Sequence, residues 1–401
     1  MNSPSPLLDR SDVLASFVDR VRSGDLGSLP VVVGLLIIWS VFTALNPVFL
    51  SPNNMVNLLF DCSTVGVISL GIVCVLMVGQ IDLSVGSMSG LASALVGTLW
   101  VNQGWPVAMA ILAAVAAGAL VGAVYALLLN RLGMPSFVST LAGLLALLGM
   151  QLYVLGPAGS INLPYEQALV SFGQLMVLPP AVSYALALVP GLAMLVTEWR
   201  TGIRRTAARL SASSLRSLAT RSLALTVLLE VIVLYLNRGR GVPVMFALFL
   251  GLAVAMDYAF TRTKWGRWMT AVGGNPEAAR RAGISVSAIY TSAFVLCAGL
   301  ASIGGVLGAA RLASASQQAG TGDVNLNAIA AAVIGGTSLF GGRGSAWSAV
   351  LGIVVIQSIA SGLTLLNLSS SLRFMITGAV LALAVIVDSL ARQSRALHGR
   401  A

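Results

Sequence analysis

The sequence predicts an all-α, polytopic integral membrane protein with about twelve transmembrane or partly spanning helices. Three observations carry this expectation. Of the 401 residues, 57% are hydrophobic and only 9% charged, and the mean hydropathy is +0.92, far outside the usage of soluble domains. Apolar runs of about 20 residues, the length that crosses a bilayer as helix, recur along the whole chain. These runs are solid in Leu, Val and Ala and lack the period-two alternation of a membrane barrel.

Residues 1–28 are polar, with Arg10, Arg20 and Arg22, and are expected to form a cytoplasmic N-terminal segment. Asp9, Asp12, Asp19 and Asp25 precede the first apolar run, and no compact basic start leads to a small-residue cleavage site. That run is therefore expected to be a retained helix and not a signal peptide. From 29 to 390 the chain reads as one transmembrane domain. A first span, 29–45, ends at Asn46-Pro47. The second, about 58–78, runs to a break at Gln80-Ile81-Asp82, and the third rises from Leu83 to Trp100. Trp100 and Trp105 flank the next turn as interfacial anchors. Spans at about 106–129 and 136–155 are joined by Asn130-Arg131-Leu132-Gly133.

A longer loop, 156–177, leads to spans at 181–197 and 222–236, which bracket a basic cytoplasmic loop, 198–221, rich in arginine. A span at 243–260 delivers the chain to a second cytoplasmic loop, 262–285. Then come a span at 286–310, a polar stretch at 314–327 and a short span at 328–340, broken by Gly335-Gly336 and Gly341-Gly342. A further span restarts at Ala346, and a last one, 374–390, precedes a cytoplasmic tail, 391–401. With both termini inside, only Arg238, Arg240, Arg311 and Arg373 of the 23 Lys and Arg residues fall outside. This is the positive-inside bias, and it accounts for the formal charge of +10 by contact with the lipid bilayer, without nucleic acid.

Catalytic chemistry has little to work with. The sole histidine, His398, is near the end of the chain, so His-assisted nucleophiles and His-based metal sites within the membrane are not expected. Cys62, Cys74 and Cys297 lie inside apolar runs and read as packing residues. No Gly-x-x-x-x-Gly-Lys-[Ser/Thr] loop occurs, so no cofactor is expected on this chain, and ATP and Mg would be held by another.

Asp82 is the most informative acid, because a carboxylate on or near a span costs roughly 2.5–3.5 kcal/mol on insertion scales. It suits either a transport pathway or a cap at the helix break, held by Ser84 and backbone amides. Gln80, Asp82, Ser84 and Gly86, with Gly335 and Gly336 on the later break, form the expected set of helix-break and pathway residues. Asp61 and Glu230 are further membrane acids, and Asp257 is placed for an ion pair with Arg262. Gly86-x-x-x-Gly90, Gly118-x-x-x-Gly122 and Gly304-x-x-x-Gly308 are expected to let helix backbones approach closely. Val78–Ser87 also aligns with Ile334–Ser345 if two residues are looped out. Paired glycine-broken segments in two halves point to a repeat-built transporter.

One polar stretch, Thr263 to Ile284, stands apart from the apolar runs. Asn275 offers an N-cap, Pro276 a first helical residue with φ pre-set, Glu277 a carboxylate at the positive helix end, and Gly283 a stop. This spells a helix of about two turns. Its face carries Arg280 and Arg281 and no apolar stripe, so it is expected to lie against a partner protein.

Glu277-Ala278-Ala279, three residues and then Gly283 resemble the EAA---G core of the cytoplasmic coupling loop in permease subunits of bacterial ABC importers. Gly79–Ser87 (GQIDLSVGS) resembles the signature of permeases for monosaccharides such as ribose and xylose. The likeness runs from about Val48 to Asp388 and lapses over about 178–243, where ribose-type permeases have no counterpart and xylose-type ones are longer. Ser285-Val286-Ser287 replaces the Ile-x-Leu-Pro that often follows in other importers.

The resemblance implies a permease subunit of an ATP-driven, binding-protein-dependent sugar importer in the bacterial inner membrane, with a pentose such as xylose as cargo. It implies a homodimer that pairs with a cytoplasmic ABC ATPase and an extracytoplasmic sugar-binding protein. It assigns ATPase coupling to Asn275, Pro276, Glu277, Ala278, Ala279, Arg280, Arg281 and Gly283. Asn57, Gln80 and Gln151 then suit either sugar hydroxyls or helix–helix bonding. Two other classes stay open on the residues alone. One is a proton-coupled secondary transporter with Asp61, Asp82 and Glu230 as relay. The other is an intramembrane enzyme acting on a lipid or peptide, against which the shortage of histidine counts.

Overall fold

The computed structural model describes residues 29–210 and 214–369, with scattered positions between 371 and 386. The expected segments 1–28 and 391–401, and most of the last span at 374–390, lie outside the described residues. The rest is almost entirely helix. Helix α1 (Leu29–Leu45) coincides with the first expected span. Asn46 then accepts from Val48 N, and Ser51 caps α2 (Pro52–Met77), whose first turns are polar and so escape a hydropathy reading. Helices α3 (Val85–Gly97), α4 (Val107–Leu132) and α5 (Ser136–Leu155) follow. The expected turn at Asn130–Gly133 is helical as far as Leu132. The reversal is made by Gly133, whose φ of 65° an L side chain adopts with strain.

Strand β1 (Ser160–Asn162) and the short helix α6 (Ala168–Gln174) lie before α7 (Pro180–Ala207) and α8 (Leu215–Asn237). The stretch 198–221, expected as a loop, is mostly helix. Arginine ends an apolar span but is a good helix former, so α7 continues to Ala207, and Ser214, seven residues on, caps α8. Helices α9 (Val244–Arg262), α10 (Lys264–Gly274), α11 (Pro276–Arg281) and α12 (Val286–Leu312) lead to strand β2 (Ser314–Ser316). Helices α13 (Asp323–Ile334) and α14 (Ala346–Leu365) complete the described body. The strands, which the sequence did not predict, pair antiparallel with Ile161 opposite Ala315. Among the described residues, 8 helices are long and apolar enough to cross a membrane, and α1 and α13 are shorter apolar helices.

Helix α2 is the axis of the bundle. In its most apolar window 83% of residues are buried inside the protein, against 78% for α12 and 61% for α14. The corresponding share in α4, α5, α7, α8 and α9 is only 11% to 28%, so these helices turn most of their apolar surface outward, as lipid-facing helices do. Contact between backbones explains several glycines. A Cβ at Gly118 would lie 2.6 Å from Ala298 O, and one at Gly122 would overlap Phe294 O, so α4 lies directly on α12. Gly86 faces Gly320 O in the same way, and Gly90 faces Ala319 O. Gly304 meets Thr64 O, but Gly308 has nothing within 4 Å, so the third expected pair packs through one glycine only.

The expected Asp257–Arg262 pair does not form among the described residues, where the only ion pairs are Arg280–Glu277 and Arg311–Asp61. Five residues apart on a helix, the two side chains leave different faces.

Helices α7 and α8 pack mainly on each other and form a hairpin on a closed neck. Leu178 N donates to Val242 O at 2.8 Å, and Val244 N to Met176 O at 3.1 Å, so the chain enters and leaves the hairpin side by side. Tyr235 OH donates to Leu50 O and ties α8 to the body.

Gly122→Val should cost about 1–3 kcal/mol through forced separation of α4 and α12. Gly308→Ala should be neutral or slightly stabilising, because the site is open and helical. Thermal unfolding of the detergent-solubilised chain reads both, with a lowered midpoint expected only for Gly122→Val.

Candidate functional site

The break after α2 is built from the backbone outward. Seven residues, 78–84, leave the helix among packed neighbours, and their amides and carbonyls need partners outside it. The N-terminal turns of α5 and α13 provide them. Ile81 N donates to Ser136 Oγ at 3.4 Å, Leu83 N to Thr140 Oγ1 at 3.2 Å, and Asn325 Nδ2 donates to Leu83 O at 2.7 Å. Asp82 is 1% exposed, and its Oδ1 accepts from Ser84 N at 2.8 Å and Ser84 Oγ at 2.7 Å. It thus closes a local turn ahead of α3 and does not cap the helix itself, whose N-cap Ser84 makes no side-chain capping bond. The second carboxylate oxygen of Asp82 is buried without a partner among the described residues. Gln80 is half-buried at the start of the break, and Gly86 packs α3 against the segment that enters α13.

The second break, between α13 and α14, touches the first. Gly335 lies against Ser348 O of α14, and Gly336 has a φ of 108° where the chain leaves α13. Further along, Gly342 N donates to Met77 O at 3.0 Å, which joins the loop to the last residue of α2. A Cβ at Gly341 would lie 2.6 Å from Gly273 O and 2.9 Å from Gly79 Cα. One at Gly273 would overlap Met77 O and lie 2.5 Å from Gly342 N. Three backbones therefore meet without side chains between them: the end of α2 with its break, the 335–345 loop, and the end of α10.

Sequence reasoning singled out both breaks and aligned them with each other, but it left α10 as loop and gave Gly273 no role. The available signal was the Gly273-Gly274 pair ahead of Asn275. The face of α10 was also legible, since Met269 and Val272 are three residues apart and both fully buried. Trp265 anchors the start of α10, with Nε1 donating to Ser292 Oγ at 2.8 Å and its ring stacked 5.7 Å from Phe260.

Helix α11 follows at once. Asn275 Oδ1 accepts from Ala278 N at 3.0 Å, and Pro276 stands in the first turn beside Glu277. At the other end Gly283 N donates to Arg280 O and Ile284 N to Ala279 O, each at 3.0 Å, with Gly283 at a φ of +82°. This is a complete Schellman stop, and Ala279 and Ile284 are the hydrophobic pair that accompanies it. A six-residue helix does not persist by propensity, so these two caps and the buried Ala279 hold it. Glu277, Ala278, Arg280 and Arg281 all point to solvent. The Arg280–Glu277 ion pair, at 2.5 Å with side chains 61% and 67% exposed, adds little to stability. The structure thus presents a preformed, charged, solvent-facing helix fixed directly to the glycine junction.

The other polar candidates are distributed elsewhere. Gln151 Nε2 donates to Ser316 O and Ala319 O, each at 2.9 Å, so it joins α5 to the end of β2 and the turn after it. Asp61 pairs with Arg311 at 2.8 Å, and Asn57 accepts from Arg240 at the same end of α2. Glu230 sits on the α7–α8 hairpin, away from both breaks.

A family model described as the permease component of branched-chain amino acid transport systems matches residues 54–385. The xylose transport system permease protein XylH of Escherichia coli K12 is 33% identical over 345 residues, covering 86% of this chain and 87% of that protein. The protein of the same name from Haemophilus influenzae is 31% identical over 376 residues, or 92% and 98% of the two chains. The ribose import permease protein RbsC of Escherichia coli K12 is 29% identical over 357 residues, or 89% and 92%. No solved structure matches. The match takes in both breaks, the glycine junction and the capped helix, and the chain belongs to this family of multi-pass transport permeases.

Proposed function

We propose that the chain is the membrane subunit of an ATP-driven importer of a monosaccharide, with a pentose such as xylose as cargo. The observation that carries this reading is α11, a capped helix with its charged face free, standing on backbone that is shared with both breaks. In this reading a separate cytoplasmic ATPase holds ATP and Mg and docks on Asn275 to Gly283. A sugar-binding protein delivers cargo to the opposite end, and two copies of the chain enclose the path. Both termini then lie in the cytoplasm and the bundle in the inner membrane. The names of the relatives favour a sugar, and identities of 33% and 31% to the two xylose permeases against 29% to the ribose permease favour the xylose type.

The mechanism follows from stiffness. A six-residue helix capped at both ends moves as a unit, and Gly273-Gly274 passes its displacement to Met77 and Gly342 with no side chain to absorb it. Closing of the ATPases would push α11, and the two breaks, being the weakest points of α2–α3 and α13–α14, would reorient their helices. This biases an equilibrium between inward-open and outward-open states. A proton relay through the membrane acids is disfavoured, because Asp61 is committed to Arg311 and Glu230 lies on the outlying hairpin, which leaves Asp82 without a second acid to relay to.

Glu277→Lys, which reverses a solvent-facing charge at the start of α11, and Gly283→Pro, which removes the stop, should leave membrane insertion intact and uncouple ATP hydrolysis from uptake. Coupled uptake at the wild-type rate in both variants, measured in proteoliposomes with the ATPase and binding protein, would count decisively against the docking role. Gly273→Ala should separate the junction. Hydrogen exchange at the Gly342 amide is expected to rise by about tenfold, the equivalent of about 1.4 kcal/mol, while exchange in α4 is unchanged.

A further inference from the structure

Asn57 lies about 30 Å from Met77 along α2, at 1.5 Å per residue. At that far end the bundle opens into a cavity of about 500 Å³. Its walls are α2, through Asn57 and Asp61, α13, through Asp323 and Asn327, and α14, through Gln357 and Ser361. Each of these helices has its other end at a break or at the glycine junction. So many amides, hydroxyls and carboxylates around one space are unusual in a bundle otherwise filled with Leu, Val and Ala, where polar side chains mark solute paths or helix joints. Asn57, Asp61 and Ser361 are joints, to Arg240, Arg311 and Asn54, but the other three are not. Asn327 is only 6% exposed and its Oδ1 has no partner, and neither Asp323 nor Gln357 is bonded to another side chain among the described residues. A buried acceptor left unmet is unfavourable until a donor arrives.

The charges at the cavity indicate the class of ligand. Arg311 pairs with Asp61 at 2.8 Å and lies over the Phe60 ring, 5.1 Å from its centroid. Arg240 lies 5.5 Å from the same centroid and donates to Asn57 Oδ1 at 2.5 Å. Arg311 is paired with Asp61 and Arg240 is bonded to Asn57, so an anion finds no free cation among the described residues of the lining, while the Asp323 carboxylate and the open amides are partners for hydroxyls. What remains is a concave set of donors and acceptors suited to a compact neutral polyol.

We propose that this cavity binds a neutral monosaccharide, with the Asn327 and Gln357 amides bonding its hydroxyls and the Asp61–Arg311 pair holding the wall in shape. The assignment rests on the import reading above and adds the place where the sugar enters. The full chain in nanodiscs, carrying Ser361→Cys, provides the test, because the native Cys62, Cys74 and Cys297 are buried and a charged thiol reagent then reports position 361. D-xylose is expected to slow labelling, with sucrose at equal osmolarity ineffective. Asn327→Leu or Gln357→Leu, in the same background, should raise the D-xylose concentration for half-protection by about tenfold, one or two hydrogen bonds' worth. Gln357 is half-buried and tolerates the change if Asn327→Leu fails to fold. Labelling unaffected by D-xylose and D-ribose, or half-protection unchanged in both variants, would overturn the cavity as a sugar site. Protection without ATP-driven import by the assembled complex would overturn the import reading and leave the cavity standing.

Discussion

A helix that stops among packed helices leaves backbone groups without their helical partners, and the rest of this structure is arranged around that constraint. The non-helical residues 78–84 persist because Ser136, Thr140 and Asn325 supply the missing partners, each from the N-terminal end of a neighbouring helix. The second interruption is held differently, by contact of glycine backbone with the end of α2 and the end of α10. Each break is thus stable only while particular neighbours stay in register. Elements with few internal bonds and exacting external ones are where a packed bundle has two arrangements of similar energy.

Much of this was legible in the sequence, for identifiable reasons. The end of helix α1 was read correctly because apolar residues and turn residues change sharply at Asn46-Pro47. The two caps of α11 were read residue by residue, because Asn-Pro-Glu and a following Gly each have one strong local meaning. Boundaries failed where polarity and helicity part company. The start of α2 at Pro52, the end of α4 at Leu132 and the run of α7 to Ala207 are all polar helix, invisible to a hydropathy count. Helix α10 was missed because it lies at the surface, with one buried face too short to stand out beside spans of about 20 residues.

The candidate site divides in the same way. Both breaks were visible as glycine-rich strings, but their contact was not, since it depends on the path of α10 between them. The cavity at the far end of α2 was nearly out of reach. Asn57 and Asp61 were noted one at a time, and only the fold brings them beside Asn327 and Gln357 from chain segments some 300 residues away in sequence. Asp82 shows the converse. One of its oxygens closes a local turn with Ser84, two residues on, a role that needs no other part of the molecule.

The neck at Leu178 and Val242 has an evolutionary corollary. Because the chain leaves the body and returns to it at one point, where it is stitched by Met176–Val244 pairing, a whole pair of spans can be gained or lost there without redirecting any strand of the remaining protein or inverting its orientation in the lipid. Long and short members of such a lineage can then share one core, with the appended pair free to diversify against the surrounding lipids.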